Sequence, residues 1–225
     1  MKLSVIVPTF NEAEGIQAFL LALSPMRTRG HEIIVADGGS SDPTISLATN
    51  LVDNIITAPK GRAAQMNAGA ALAKNPLLLF LHADTFLPDD ADKLIAHTLS
   101  DTKKKWGRFD VQLKGSHKLL GLVAWSMNRR SRITGIATGD QALFVTRELF
   151  QQVHGFPAIA LMEDIALSKI LRAHDAPACL SSKVVSSGRR WDKHGLWRTV
   201  ICMWRLRLAY FFGADPQHLA RRYQN

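Results

Sequence analysis

The chain has 225 residues, 47% of them apolar, and a formal net charge of +9. That length and composition exclude a disordered chain and suit one substantial core. Cys179 and Cys202 belong to no C-x-x-C pair or ligand cluster and read as reduced thiols of a cytosolic protein. No run of about 18 apolar residues is present, which argues against a membrane-spanning helix, and the apolar stretch before Pro8 is too short for a signal-peptide core.

Leu3–Val7 is predicted as a strand ending at Pro8, because proline cannot donate to a ladder. Thr9-Phe10-Asn11-Glu12 then either makes an ordinary turn into a helix capped by Asn11, or aims polar groups at a ligand. Glu12–Leu23 reads as that helix, Glu32–Ala36 as a second strand, and Asp42-Pro43 as the start of another helix. Asp37 either closes an Asp-Gly turn or accepts a hydrogen bond from a base N–H, with Gly38 and Gly39 admitting a planar ring. Asp53–Thr57 reads as a strand. Arg62–Ala73 is an Ala-rich helix in which Arg62 and the first free N–H groups suit an anion, while Asn67 is not explained by close packing. Leu77–Leu81 is a continuous apolar run, as in a strand buried on both faces. This β-α-β-α-β-α-β order predicts an α/β protein with a doubly wound, mostly parallel sheet flanked by helices.

His82-Ala83-Asp84 follows that apolar run. Strand alternation would put His82 and Asp84 on one face, where together they hold a divalent cation; His82 equally suits a packed core histidine. Pro88–Leu99 reads as a helix, Gly107–Leu113 as a half-exposed strand, Lys118–Asn128 as a helix before the basic stretch Arg129–Arg132, and Gln141–Val145 as a strand. Glu163–Arg172 reads as a helix. Its first two carboxylates either answer the helix dipole or supply a general base, and only one is expected to face a cleft.

These motifs, in this order, resemble family-2 glycosyltransferases of the GT-A (Rossmann-like) fold. The likeness spans most of residues 1–195: Pro8–Glu12, Asp37–Asp42, Asn67-x-Gly69, Asp84, Gly139-Asp140-Gln141 and Glu163-Asp164. Leu81-His82-Ala83-Asp84-Thr85 and Arg189-Arg190-Trp191 also resemble a compact bacterial subgroup. The resemblance implies an inverting transfer from a nucleoside-diphosphate sugar, a UDP-sugar foremost, to an acceptor hydroxyl. It implies that Pro8, Thr9, Asn11, Glu12 and Asp37 hold the nucleoside, with Gly38, Arg62, Asn67, His82 and Ala83 beside the donor. Asp84 would bind Mg²⁺ or Mn²⁺, and Asp164 would be the base, with Glu163 its neighbour. Arg189, Arg190 and Trp191 would close over the diphosphate or the acceptor, near Gly139, Asp140 and Gln141, and His194 would add a metal or phosphate contact. The sequence departs from the common Asp-x-Asp pattern, because His82 stands where the first Asp is usual.

Residues 183–225 carry nine Lys/Arg and two acids, a charge of +7, while the other residues sum to +2. A basic tail on a near-neutral body points to an anionic partner. Leu196–Phe212 combines two Trp with Arg198 and Arg205, which share a helix face that Arg207 does not. That composition fits a helix lying in a bilayer interface, and equally one packed on the sheet or in a homodimer. The expected division is a domain over 1–195 with an amphipathic helical extension of it over 196–225, at the inner face of the cell membrane and with a lipid-linked acceptor. Two competing readings are a nucleotidyltransferase and a noncatalytic nucleotide-binding protein of the membrane surface. The first normally has a Gly-rich basic loop where Asn11-Glu12-Ala13-Glu14 stands. Nucleic acid is excluded as a partner, because a phosphate-tracking surface does not present carboxylates at its cleft.

Overall fold

The computed structural model describes residues 1–224, without the side chains of His194 and Gln224. The metal or phosphate contact expected of His194 therefore lies outside the described residues.

Eight strands form one mixed, mostly parallel sheet. In chain order the elements are β1 (Leu3–Thr9), α1 (Ile16–Thr28), β2 (Glu32–Asp37), α2 (Thr44–Ala48), β3 (Asn54–Thr57), α3 (Arg62–Leu72) and β4 (Leu77–Phe80). Then come β5 (Thr85–Phe86), α4 (Ala91–Thr102), β6 (Trp106–Lys114), α5 (Leu120–Thr134), a 3₁₀ turn (Gly139–Gln141), β7 (Leu143–Thr146) and α6 (Arg147–Gln152). The chain finishes with α7 (Glu163–His174), β8 (Ala178–Ser187), α8 (Arg189–His194), α9 (Leu196–Phe211) and α10 (Pro216–Gln224). The strand order is β3-β2-β1-β4-β7-β6-β8-β5, and β7 runs antiparallel to both its neighbours.

Alternation along the strands sends side chains into two cores. Leu3, Val5, Val7, Leu77 and Leu79 face α1, α4 and α5, while Ile6, Ile34, Leu78 and Phe80 face α3, α6 and α7. Gly69 lets α3 lie close on the sheet, since a Cβ there would meet the Ile6 side chain at 2.6 Å. The chain reverses its winding between β1 and β4, so the crevice at their carboxyl ends is the expected ligand position.

Several expected boundaries move for identifiable reasons. Pro8 does not end β1 but pairs opposite Ala36. N–H directions alternate along a strand, and the N–H that proline lacks would face β4, whose last rung on β1 is Ile6–Phe80. Asn11 does not cap α1, which starts at Ile16 after a turn on the Glu12 carbonyl. Asn11 instead adopts φ +54, and its amide oxygen accepts from the Ser41 N–H, tying β1 to the loop after β2. β6 is not half-exposed. It lies between β7 and β8, and its Arg108 is fully buried in an ion pair with Asp110, which also takes Arg132. The basic stretch 129–132 falls inside α5, and α6, β5 and β8 had no expected counterpart.

Candidate active site

A cavity of about 640 Å³ opens at the carboxyl ends of β1 and β4 and is covered by α8, α9 and α10. The residues come to it from separate elements. Pro8, Thr9 and Glu12 arrive from the end of β1, Arg62 from the first turn of α3, and His82, Ala83 and Asp84 from the turn after β4. Gly139 and Asp140 come from the 3₁₀ turn, Glu163 and Asp164 from the start of α7, and Arg189, Arg190 and Trp191 from α8.

His82 and Asp84 do not share a strand face. β4 ends at Phe80, and residues 82–85 make a turn closed by Thr85 N–H to the His82 carbonyl at 3.0 Å. His82 faces Asp140, with Nδ1 3.6 Å from Oδ1. A methyl group at Gly139 would overlap the His82 ring, so that glycine is what lets the 3₁₀ turn approach. Burial works against the charge on Asp140, but the neighbouring His82, Arg62 and Arg190 pull its carboxyl below the usual range. Asp84 faces the other way, 3.8 Å from Arg189 Nη2, and the same nitrogen lies 3.3 Å from Glu12 Oε2. His82 is thus partnered to an acid instead of joining Asp84 as a ligand. Among the described residues no three His, Cys, Asp or Glu side chains gather as a metal cage.

The two α7 acids differ. Met162, with φ +68, precedes them in the left-handed region, a strained conformation for a side chain of that size. Asp164 is held by the Gly139 N–H on Oδ2 at 2.9 Å and by the Ile165 N–H on Oδ1 at 2.7 Å. Each oxygen keeps further acceptor capacity toward the cavity. Glu163 is only 4% exposed. Burial, and then the charge of Asp164, push its carboxyl above the usual range. Both acids line the cavity, where one had been expected to.

Five expected contacts lie elsewhere, Asn11 among them, since it is spent on the Ser41 N–H and does not line the cavity. Asp37 is fully buried, and its carboxylate already accepts from Thr9 Oγ1, Ser40 Oγ and the N–H groups of Gly39 and Ser40. It shapes the loop after β2 and has little capacity left for a base. Gly38 packs against Gln65 beneath that loop. Asn67 exchanges two hydrogen bonds with the Phe156 backbone, both at 2.9 Å, and so fixes the turn before α7. Gln141 is buried, bonding the Thr138 backbone and Asn128.

Other cavity residues had no sequence expectation. Gln65 donates to the Thr9 and Ala36 carbonyls at 2.7 and 2.9 Å, fastening α3 to the ends of β1 and β2. Its position three residues after Arg62 on one helix was the available signal. Met203 and Arg207 reach in from α9, and Tyr223 from α10. Arg190 stacks on the Tyr223 ring at 3.6 Å. Burial pushes the Tyr223 hydroxyl up, partly opposed by Arg62 and Arg190. No local pattern links a residue so near the terminus to a sheet edge. Five bases (Arg62, Arg189, Arg190, Lys193 and Arg207) and five acids (Glu12, Asp84, Asp140, Glu163 and Asp164) share the cavity. Such a site can bind a polyanion and still offer a carboxylate to a proton.

Residues 4–119 match the domain model "Glycosyl transferase family 2". An uncharacterized glycosyltransferase of Mycobacterium tuberculosis is 32% identical over 162 residues, 68% of this chain and 62% of its own length. The chain therefore spans about three-fifths of that relative. Among solved structures, S. aureus TarS 1-349 in complex with UDP is similar at a TM-score of 0.68 and 19% identity, covering 83% of this chain and 60% of its own. Mannosyltransferase PcManGT from Pyrobaculum calidifontis, in complex with GDP-Man and Mn²⁺, gives 0.64 and 21%, covering 92% and 61%. At these identities the likeness is one of fold.

Proposed function

Since this chain belongs to glycosyl transferase family 2, we propose that its cavity moves a sugar, with inversion, from a nucleoside-diphosphate donor to an acceptor hydroxyl. The observation carrying this reading is that Asp84 and Asp164, from different elements, line one cavity at the β1–β4 edge together with five basic side chains. That neighbours of this fold were solved with UDP, or with GDP-Man and Mn²⁺, supports a nucleotide-sugar donor, and we take a UDP-sugar as the first candidate.

Mg²⁺ or Mn²⁺ fits the residues present. Asp84 is a half-exposed oxygen donor, and the cation now beside it and Glu12 is the Arg189 guanidinium. A hard divalent ion takes one or two carboxylates and completes its shell with phosphate oxygens and water. When bound, such an ion neutralises charge on the departing diphosphate. Arg62, Arg189 and Arg190 supply the rest of that neutralisation. Pro8, Thr9 and Glu12 border the nucleoside, with Asn11 and Asp37 shaping the loop around it.

Asp164 takes the acceptor proton. A base must be ionised before it acts, and the burial that raises Glu163 favours its protonated form, so Glu163 is the weaker candidate. The Gly139 N–H fixes the Asp164 carboxylate, and such positioned help is worth about 10²–10⁴-fold. Residues 1–195 form the transferase domain in this reading, and 196–225 extend it toward the inner face of the membrane, where a lipid-linked acceptor would lie. Purified protein with UDP-sugar and Mn²⁺ should release UDP slowly without acceptor. Absence of nucleoside diphosphate release from every donor in a panel of nucleotide sugars would refute the transferase reading.

A further inference from the structure

Helix α9 has three distinct faces. Its inner face puts Met203 and Arg207 into the catalytic cavity and packs Leu206 with Met162 and Ile165 of the α7 start. Its outer face carries Trp197, Ile201, Trp204, Leu208, Phe211 and, just past the helix end, Phe212, which recur at helical spacing in one stripe. All six are between 54% and 77% exposed. Isolated exposed apolar residues are ordinary, but a continuous stripe of this size marks a partner.

Between these faces, α9 and α10 enclose a groove of about 680 Å³. Arg198, Arg205 and Arg222 line it, over Cys202, Leu206 and Leu219, and no acid is among its lining residues. Ile201 belongs to both the groove and the stripe, so the two surfaces adjoin. Cationic groups beside an apolar cleft fit a ligand with an anionic head and a hydrocarbon body.

We infer that α9 and α10 form a docking surface for an anionic phospholipid bilayer, with the stripe entering the interface and the three-arginine groove receiving a lipid phosphate. This rests on the proposed membrane attachment and names the residues that make it. Charge decides between a bilayer and a second copy of the chain. A two-fold dimer sets one patch against itself, which would bring the arginines of both copies together. Anionic headgroups instead satisfy them, and Trp and Arg are the residues that suit the headgroup level. No described helix is long and apolar enough to cross the membrane, so the attachment is to its surface. Met203 and Leu206, on the inner face, and the stripe sit on opposite sides of one helix. Docking therefore holds the cavity within about 10–12 Å, one helix diameter, of the lipid.

Flotation with vesicles tests this, using the full chain without donor. Wild type should rise with phosphatidylcholine vesicles containing about one-third phosphatidylglycerol, stay below with pure phosphatidylcholine, and be released as salt is raised. Arg198→Gln/Arg205→Gln/Arg222→Gln and Trp197→Ala/Trp204→Ala should each lower bound protein about tenfold or more, since charge and apolar burial both contribute. These positions lie outside the catalytic cavity, so UDP release from a donor should stay at the wild-type rate in both variants. Wild type remaining in the soluble fraction with anionic vesicles at low salt would overturn the inference. So would unchanged flotation of both variants, or a stable dimer in light scattering that Trp197→Ala/Trp204→Ala dissolves. Loss of UDP release in wild type with flotation intact would instead fault the transferase reading.

Discussion

Trp106 and Trp204 show how differently the two walls of the cavity are held. Trp106, on β6, is fully buried, and its indole N–H donates to the Asp175 carbonyl at 2.7 Å. Trp204, on α9, is 74% exposed. The sheet wall is fixed by two continuous cores and by side chains that stitch strand ends together, such as Gln65 and Asp37. The α9–α10 wall is held by a small cluster around Met162, Ile165, Leu206 and Leu219 and, at the start of α9, by Leu196 and Val200 against the larger core, with much of its apolar surface outside. The difference accords with the proposed roles: the sheet wall holds chemical groups in place, and the helical wall leaves an apolar surface free for the docking inferred above.

The largest expected effect belongs to the sheet wall. Asp164→Asn keeps an acceptor for the Gly139 N–H but loses the base and the acceptor of the Ile165 N–H, so transfer should fall about 10²–10⁴-fold with donor binding unchanged and the melting temperature lowered only slightly. Initial rates against donor affinity measure this, and near-normal transfer would move the base to Glu163. Second, Trp106→Ala should cost about 3–5 kcal/mol of stability in urea unfolding, the range for emptying a buried aromatic site. A loss below about 1 kcal/mol would mean that this wall is not the rigid one.

Acid provides a third contrast. Asp92 on α4 is pulled toward higher pKa by burial. Bonds from Arg29 and His31 outweigh that and hold it at about 2. The His31 Nδ1 accepts the Leu3 N–H, so Nε2 carries the proton given to Asp92 and the start of β1 is tied into the network. A carboxyl whose folded pKa is depressed contributes stability above its unfolded pKa and loses it on acidification. That loss should fall between about pH 4 and about pH 2 and amount to on the order of 1–2 kcal/mol. Asp92→Asn should be less stable near neutrality and show a flatter acid limb in thermal melts. An unchanged acid limb would remove Asp92 from the account. The smallest effect is Trp204→Ala, which should change stability by less than about 0.5 kcal/mol because little is packed on it. A larger loss would make α9 part of the core.

The same contrast governs how much of the molecule could be read from its residues. The runs at 33–36 and 77–80 are buried on both faces, and nothing but a central strand accommodates them. Ala178–Ser187 is equally a strand, but its serines and Lys183 hide the period, and pairing with β6 over a bulge decides it instead. Asp84, Asp140, Asp164 and Arg189 were legible as residues that line the cavity because polar groups after strands and at helix starts are positioned by the backbone itself. Asp37, Asn67 and Gln141 have the same chemical character, yet tertiary hydrogen bonds consume them. Sequence offers no measure of whether a carboxylate's lone pairs are already taken. Tyr223 was illegible for the opposite reason, since only the fold of α10 over the cavity brings it to Arg190.

The central claim is that Asp84 and Asp164 divide the work, one toward the diphosphate and the other toward the acceptor. Calorimetric titration of UDP with and without Mn²⁺, into wild type, Asp84→Ala and Asp164→Asn, addresses it most directly. The account predicts Mn²⁺-dependent binding that survives in Asp164→Asn and disappears in Asp84→Ala. Equal Mn²⁺-dependent binding by Asp84→Ala, or wild-type binding indifferent to a chelator, would contradict it and leave Arg62, Arg189 and Arg190 to neutralise the diphosphate alone.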